Sequence, residues 1–313
     1  MKKFTVLLFI PLILLCGCAR KQISDTKLYM NTACTVTSDC DEKTLDGVFG
    51  LCENYERFLG PDSPDSDISF MNYYDEYEIS DDTREILLKA LYYCQKTGGK
   101  YDITLTPAIQ QWDFESKTLP DFNELNRVLY RVGYDRIEID GNNVNLHDTD
   151  VDLSSIVSGY VTDKIVSYLK KNDAQNGVVN FGSNVKVFGK AYKLEIKKPF
   201  SDEIMLTAKI KDKALSTCSI DAKYFKKDGK LYHHILDSET GMPIENELSK
   251  VIVFGESAAE CDVLSTVCMI LGEYEGKKLI KETDGYEAVF VLRNDDISVS
   301  DGLEHKKGKI IFK

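Results

Sequence analysis

DLSSIVSGYVTD, residues 152–163, follows the extended-looking run IEIDGNNVNLHDTDV (137–151). Val157, Val161, Ile165 and Leu169 step by four, the spacing of one apolar helical face, so strand gives way to helix at this point. Ser154 or Ser155 is placed to cap that helix. The first-turn N–H groups of such a helix face outward with the partial positive charge of a helix start, which favours phosphate. Asp152 at the same place repels phosphate unless a donor or a cation accompanies it. Taken alone, the stretch is a helix start with a capping aspartate.

The same mixture of strand and helix extends to both sides. Residues 27–37 predict a strand, and residues 44–59 a helix with Leu45, Val48, Leu51, Cys52, Tyr55 and Leu59 on one side. Residues 60–72 are turn-rich. Residues 81–96 predict a helix capped by Asp81 or Asp82 and broken at Thr97-Gly98-Gly99. Strand signals follow at 136–147, 178–188, 192–197 and 204–210, then at YHHILD (232–237) and KVIVFG (250–255). A last hairpin is expected from EAVFVLR and KIIFK. Strand pairs with interspersed helices predict an α+β fold, rich in antiparallel sheet, as a single large domain.

The chain begins MKKFTVLLFIPLILLCGCAR. Two lysines, a short apolar run and small residues are the parts of a secretory signal. The run is shorter than the roughly 20 residues a spanning helix needs. Its end, Leu15-Cys16-Gly17-Cys18, resembles a bacterial lipobox. The expected organisation is a signal peptide over 1–17, a lipidated Cys18 opening a tether over 18–26, and a domain over 27–313. That predicts a protein held by a lipid anchor on the exported face of the cell membrane. With 51 acidic and 39 basic residues the net charge is -12, which excludes nucleic acid as a partner. Seven cysteines follow Cys18 without metal-ligand spacing; an exported protein is free to form disulfides, but the sequence assigns none.

Two further stretches carry chemistry. Ser257-Ala258-Ala259-Glu260 has the pattern of a capping box, opening a helix that is expected to stop at Gly272. Asp262 and Thr266 lie four apart on that helix and share a face, so an acid and a hydroxyl stand together as half of a site for a hard cation. In YHHILDSETGMP (232–243), strand alternation sends His233 and His234 to opposite faces, so at most one meets a given pocket. A histidine there is the natural general base.

The order of motifs resembles the ApbE family, the FAD:protein FMN transferases, over essentially the whole mature chain. Met30-Asn31-Thr32 resembles the family's Met-Gly-Thr, and residues 66–72 its Ser-acid-apolar-Ser-x-Leu-Asn. Thr97 to Asp102, with Thr104, Pro107 and Trp112, is similar to its Thr-Gly-Gly-x-Phe-Asp segment. Asp152 to Asp163 has the spacing of Asp-Leu-Gly-Gly-Ile-Ala-Lys-Gly-Tyr-x-x-Asp. Val179 to Gly182, His233 to Pro243 and Asp262 to Thr266 look like three further motifs in order.

The resemblance implies cleavage of FAD at its pyrophosphate, transfer of FMN to a threonine or serine of an acceptor flavoprotein, and release of AMP. It implies Mg²⁺ held by the Ser155 carbonyl, Asp262 and Thr266, with Ser265 nearby. It also implies FAD lined by Met30, Lys100, Tyr101, Asp102, Asp152 and Ser158, and His234 as the base. Two departures stand out: the family lysine is Ser158 here, and an acid of the family motif is Asn184. Splitting FAD with water, or binding it without catalysis, are the alternative outcomes.

Overall fold

A computed structural model describes residues 21–60, 63–74 and 76–313. The expected signal peptide and the expected lipidation site, Cys18, lie outside the described residues. The chain enters through β1 (Ile23–Tyr29), β2 (Thr32–Ser38), α1 (Glu42–Leu59), α2 (Asp67–Tyr73), β3 (Glu76–Glu78) and α3 (Asp81–Lys96). It continues with α4 (Thr106–Ile109), α5 (Phe122–Val128), β4 (Glu138–Asp140), β5 (Asn143–Asn145) and α6 (Ser154–Lys171). Then come β6 (Gly177–Phe181), β7 (Asn184–Phe188), β8 (Tyr192–Lys197), β9 (Ile204–Ile210), β10 (Ala214–Ser219), β11 (Tyr224–Lys227) and β12 (Lys230–His233). The last elements are β13 (Leu248–Gly255), α7 (Ala258–Lys281), β14 (Glu287–Leu292), β15 (Ile297–Val299), β16 (Leu303–Lys306) and β17 (Lys309–Phe312).

Eight strands form the central sheet in the order β1-β2-β6-β7-β10-β13-β14-β15, every pair antiparallel. The helices α1, α6 and α7 cover one face. A second sheet, β16-β17-β9-β8, covers part of the other. β13 lies between the two layers: Val251 and Val253 enter the helix-side core, while Ile252 and Phe254 enter the sheet–sheet core. Burial on both faces explains why residues 251–254, VIVF, read as an uninterrupted apolar run, each side chain contributing about 1.5–3 kcal/mol. This is the expected α+β arrangement.

Several expectations change. The strand expected at 27–37 is the hairpin β1–β2, turned by Met30 (φ 49) and Asn31 (φ 57). β1 opens at Ile23, so residues 23–26 belong to the sheet rather than to a tether. The turn-rich stretch contains α2, capped by Ser66. Ser80, not Asp81 or Asp82, caps α3 by accepting from the Thr83 N–H. EAVFVLR and KIIFK form no hairpin: β14 pairs with β13 and β15, while β17 joins the other sheet beside β16 and β9. Gly272, at φ 80, does break the helix that Ser257 caps, but helical turns resume and run to Lys281. The seven cysteines after Cys18 are free and buried. Among the described residues no helix is long and apolar enough to cross a membrane.

Candidate functional site

The start of α6 and the first turns of α7 open on one cavity of about 390 Å³. Asp152, just before α6, lines it with Ser154 and Ser155 of α6, and Asp262, Ser265 and Thr266 line it from α7. The two helices approach closely because residue 159 is glycine: a Cβ there would sit 2.4 Å from the Ala258 carbonyl oxygen. That approach places the Gly159 N–H 3.0 Å from Asp262 Oδ2.

Neither serine caps α6. Asp152 Oδ1 accepts from the Ser154 N–H at 2.7 Å, so the aspartate itself satisfies the first orphan donor. Ser155 Oγ instead shares a 2.7 Å hydrogen bond with the Tyr101 hydroxyl. Burial pushes the Tyr101 phenol well above its usual range, so it remains protonated.

Asp262 is buried at 5% exposure and lies at the centre of a small polar cluster. Oδ2 accepts from the Ser158 hydroxyl (3.0 Å) and Gly159 N–H, and Oδ1 from the Ser216 hydroxyl (3.1 Å). Asn184 Nδ2 donates in turn to Ser158 Oγ at 2.9 Å. Burial raises the Asp262 carboxyl to about 6, and these donors only partly offset it. Among the described residues no basic side chain pairs with Asp262. An ionised, buried carboxylate without a counter-charge fits a cation in the adjoining cavity. No group of three or more His, Cys, Asp or Glu side chains gathers among the described residues, so the donors on offer are one carboxylate, hydroxyls and backbone carbonyls. Such an oxygen set suits a hard ion that shares its remaining positions with substrate. The Ser265 hydroxyl donates its hydrogen to the Asp262 carbonyl at 2.9 Å, which leaves its oxygen lone pairs available.

Across the cavity stands His234, just beyond β12. Its Nδ1 lies 3.2 Å from the Lys223 carbonyl, which makes Nδ1–H the donor and leaves the Nε2 lone pair free. Burial lowers its pKa, so the ring is neutral at pH 7 and able to accept a proton. His233 points away into a separate pocket beside Arg293 and is pushed down to about 4, again by burial. The alternation of adjacent strand residues thus selects His234.

The remaining expected residues divide. Tyr101 and Asp102 line the cavity, but the Asp102 carboxylate is engaged with the Thr104 N–H (2.8 Å), the Thr104 hydroxyl (2.6 Å) and the Tyr134 N–H (3.0 Å). It holds a loop rather than a ligand. Lys100 is exposed and lines no part of the cavity, a correction to its expected place against FAD: Gly98 (φ 62) and Gly99 (φ 83) turn the chain just before it. Met30 and Ser158 line a neighbouring pocket of about 190 Å³ with Gly182, and Ser154 and Ser183 border both spaces. Ser216 and the pairing of Asn184 with Ser158 escaped the sequence reading, since small polar residues in strands carry no periodic signal. So did the apolar wall that Ile109, Phe114 and Leu236 build around Trp112, which the sequence placed in a motif without a role. Trp112 Nε1 donates to the Gly241 carbonyl at 2.9 Å and ties that wall to the histidine segment.

The chain is 26% identical over 298 residues to an FAD:protein FMN transferase of Klebsiella pneumoniae (strain 342), covering 89% of this chain and 93% of that one. It is 28% identical over 273 residues to one from Vibrio cholerae serotype O1, covering 82% and 81%. Among solved structures, the ApbE protein of Thermotoga maritima superposes with a TM-score of 0.81 at 22% identity, covering 90% of this chain and 97% of that one. The flavin transferase ApbE of Vibrio cholerae gives 0.80 at 24%, with the same coverage. At these identities the superpositions establish the fold. The ApbE family model matches residues 30–290, spanning both sides of the cavity. This chain belongs to the ApbE family.

Proposed function

We propose that this protein transfers the FMN moiety of FAD to a threonine or serine hydroxyl of an acceptor flavoprotein and releases AMP. The observation that carries the reading is the placement of a neutral His234 and the uncompensated Asp262 carboxylate on one cavity, one suited to a proton and the other to a cation. The curated relatives named as FAD:protein FMN transferases support it.

In this reaction the acceptor oxygen attacks the FMN-side phosphorus, its proton passes to His234 Nε2, and AMP leaves with the bridging oxygen. Phosphoryl-type transfer needs alignment and charge neutralisation more than covalent help. Asp262, the Thr266 hydroxyl and the Ser155 carbonyl would hold Mg²⁺, with Ser265 closing that edge of the cavity. The ion, when bound, neutralises pyrophosphate charge that Asp152 and Asp262 otherwise repel. Tyr101, kept protonated, fixes Ser155 through their shared hydrogen bond. The wall of Ile109, Trp112 and Phe114 offers an apolar surface to a flavin ring and keeps water from the phosphorus. The proposal extends to the N-terminus: signal cleavage before Cys18 and its lipidation would place this chemistry on the exported face of the membrane.

The test is incubation with FAD, Mg²⁺ and an acceptor domain, measuring covalent flavin and AMP together. Equal amounts of the two are expected. AMP without covalent flavin would select hydrolysis of FAD, and FAD bound without either product would reduce the protein to a flavin carrier.

A further inference from the structure

Asp163 ends the stretch DLSSIVSGYVTD and takes no part in the transfer chemistry. It stands on α6 one turn beyond Gly159 and two beyond Ser155, so the three share a face. Its carboxylate receives the opening turn of α7. Oδ1 accepts from the Ala258 N–H at 2.9 Å, and Oδ2 from the Ala259 N–H at 3.1 Å and the Ser257 hydroxyl at 2.7 Å. The two N–H groups are donors that a helix start leaves without a partner inside the helix, and the next, from Glu260, goes to Ser257 Oγ at 3.2 Å. A carboxylate also suits the partial positive charge of that helix start. Lys186 Nζ lies 2.5 Å from Asp163 Oδ1 and supplies the counter-charge. Lys186 is on β7, two residues beyond Asn184, whose side chain meets Ser158. The sheet therefore grips α6 at two points, and α6 grips α7.

What a cap from another element adds is register. Along the contact between the helices, Gly159 meets Ala258 and Asp262, and Asp163 meets residues 257–259. Asp262 lies one turn further along α7 and Thr266 two turns, at the cavity that Ser155 lines from α6. A helix is stiff over two turns, so the position of its first turn fixes that of Asp262 and Thr266. Mg²⁺ demands nearly octahedral oxygens at about 2.0–2.1 Å and tolerates little misplacement.

We propose that Asp163 is a positioning residue for the cation site: it fixes α7 along α6 and so sets Asp262 and the Thr266 hydroxyl level with the Ser155 carbonyl. This inference rests on the reading of Asp262 as a cation ligand. Glu260 ties the same turn of α7 to α3 through Lys89 at 2.5 Å, so losing Asp163 frees the register of α7 without detaching the helix.

The test titrates Mg²⁺ into the mature protein without FAD and reads the rise in Tm. Asp163 is eight residues from Ser155, about 12 Å along α6. Titration in about 0.3 M KCl screens a charge at that distance, so the readout reports geometry. Asp163→Asn exchanges one acceptor for a donor and is expected to raise the Mg²⁺ midpoint about ten-fold, the scale seen when a group supporting a metal ligand is lost. Lys186→Met leaves the carboxylate on α7 and is expected to lower the metal-free Tm with the midpoint unchanged. An unchanged midpoint in Asp163→Asn, or an equal rise in both variants, overturns the register role and leaves the cation reading standing. Should Asp163→Asn not fold, Ser257→Ala removes one of the three bonds to α7 and is expected to raise the midpoint about three-fold, the scale of one hydrogen bond; no rise there overturns the role as well. A wild-type Tm indifferent to Mg²⁺ overturns the cation reading and the register role together.

Discussion

Asp102 and Asp262 are both buried carboxylates at the edge of one cavity, and burial raises the pKa of each. Their surroundings differ. Asp102 gives one oxygen to the N–H and hydroxyl of Thr104, two residues on, and the other to the Tyr134 N–H, which ties the loop to the segment after α5. Asp262 receives one backbone N–H and two hydroxyls, from α6 and β10, two elements distant in sequence. The first environment makes an acid structural. The second holds it in place while leaving its charge unmatched, which is the condition for binding a cation.

The sharpest way to break that comparison is at Asp262. Asp262→Asn should lower metal-dependent turnover by at least about a hundred-fold, the scale expected when an electrostatic partner of the transition state is lost. The metal-free protein should become more stable. A carboxyl raised in the folded state costs stability when ionised, so the wild type loses stability as pH rises from the ordinary carboxylate range to about 6. Above that, the cost is on the order of 2–3 kcal/mol, which the amide avoids. Thermal melts at pH 8 with and without Mg²⁺ check both statements: a higher Tm without the ion, and no rise on adding it.

Removal of the base comes next. His234→Ala should cost about 10²–10⁴ in kcat. In the wild type the lowered His234 pKa keeps the ring neutral at pH 7, so the rate should be level there and fall as acid protonates it, below the usual histidine range. A pH–rate profile at saturating Mg²⁺ reads this directly.

Ser158→Lys tests whether the cluster around Asp262 is tuned as a unit. The two departures from the family motif, Ser158 and Asn184, touch each other. A lysine alone at 158 would find Asp262 as its counter-ion and compete with the metal, raising the Mg²⁺ requirement about ten-fold, or about 1.4 kcal/mol. Adding Asn184→Asp should supply another partner and restore the requirement, as Mg²⁺ titrations of Tm would show. The smallest catalytic effect is expected from Asp102→Asn. It exchanges one acceptor for a donor beside N–H groups, costing about 1–3 kcal/mol of stability while Mg²⁺ dependence stays unchanged.

Much of this arrangement is legible in the chain. The spacing of Val157, Val161, Ile165 and Leu169 predicts α6, and Ser257 with its following apolar stripe predicts α7. His234, Asp262 and Thr266 meet in one cavity as their motifs imply. What stayed hidden depends on distance in sequence. EAVFVLR and KIIFK are both apolar and strand-like, and nothing local tells that each pairs with a different sheet. The seven residues of α2 are too few to show a period after a run of turn residues. Lys100 sits in the right motif, but two left-handed glycines direct it to solvent. Ser216 gains its meaning only from Asp262, which folding brings to it.

The early start of β1 sets a working radius. With Ile23 already in the sheet, the lipid proposed for Cys18 would leave a leash of only five residues, at most about 17 Å when fully extended. An enzyme anchored in the proposed way would not sweep far from the lipid headgroups. Acceptors lying on the membrane, or brought to it, would fall within its range, and those free in the surrounding space would meet it only by coming down to the surface.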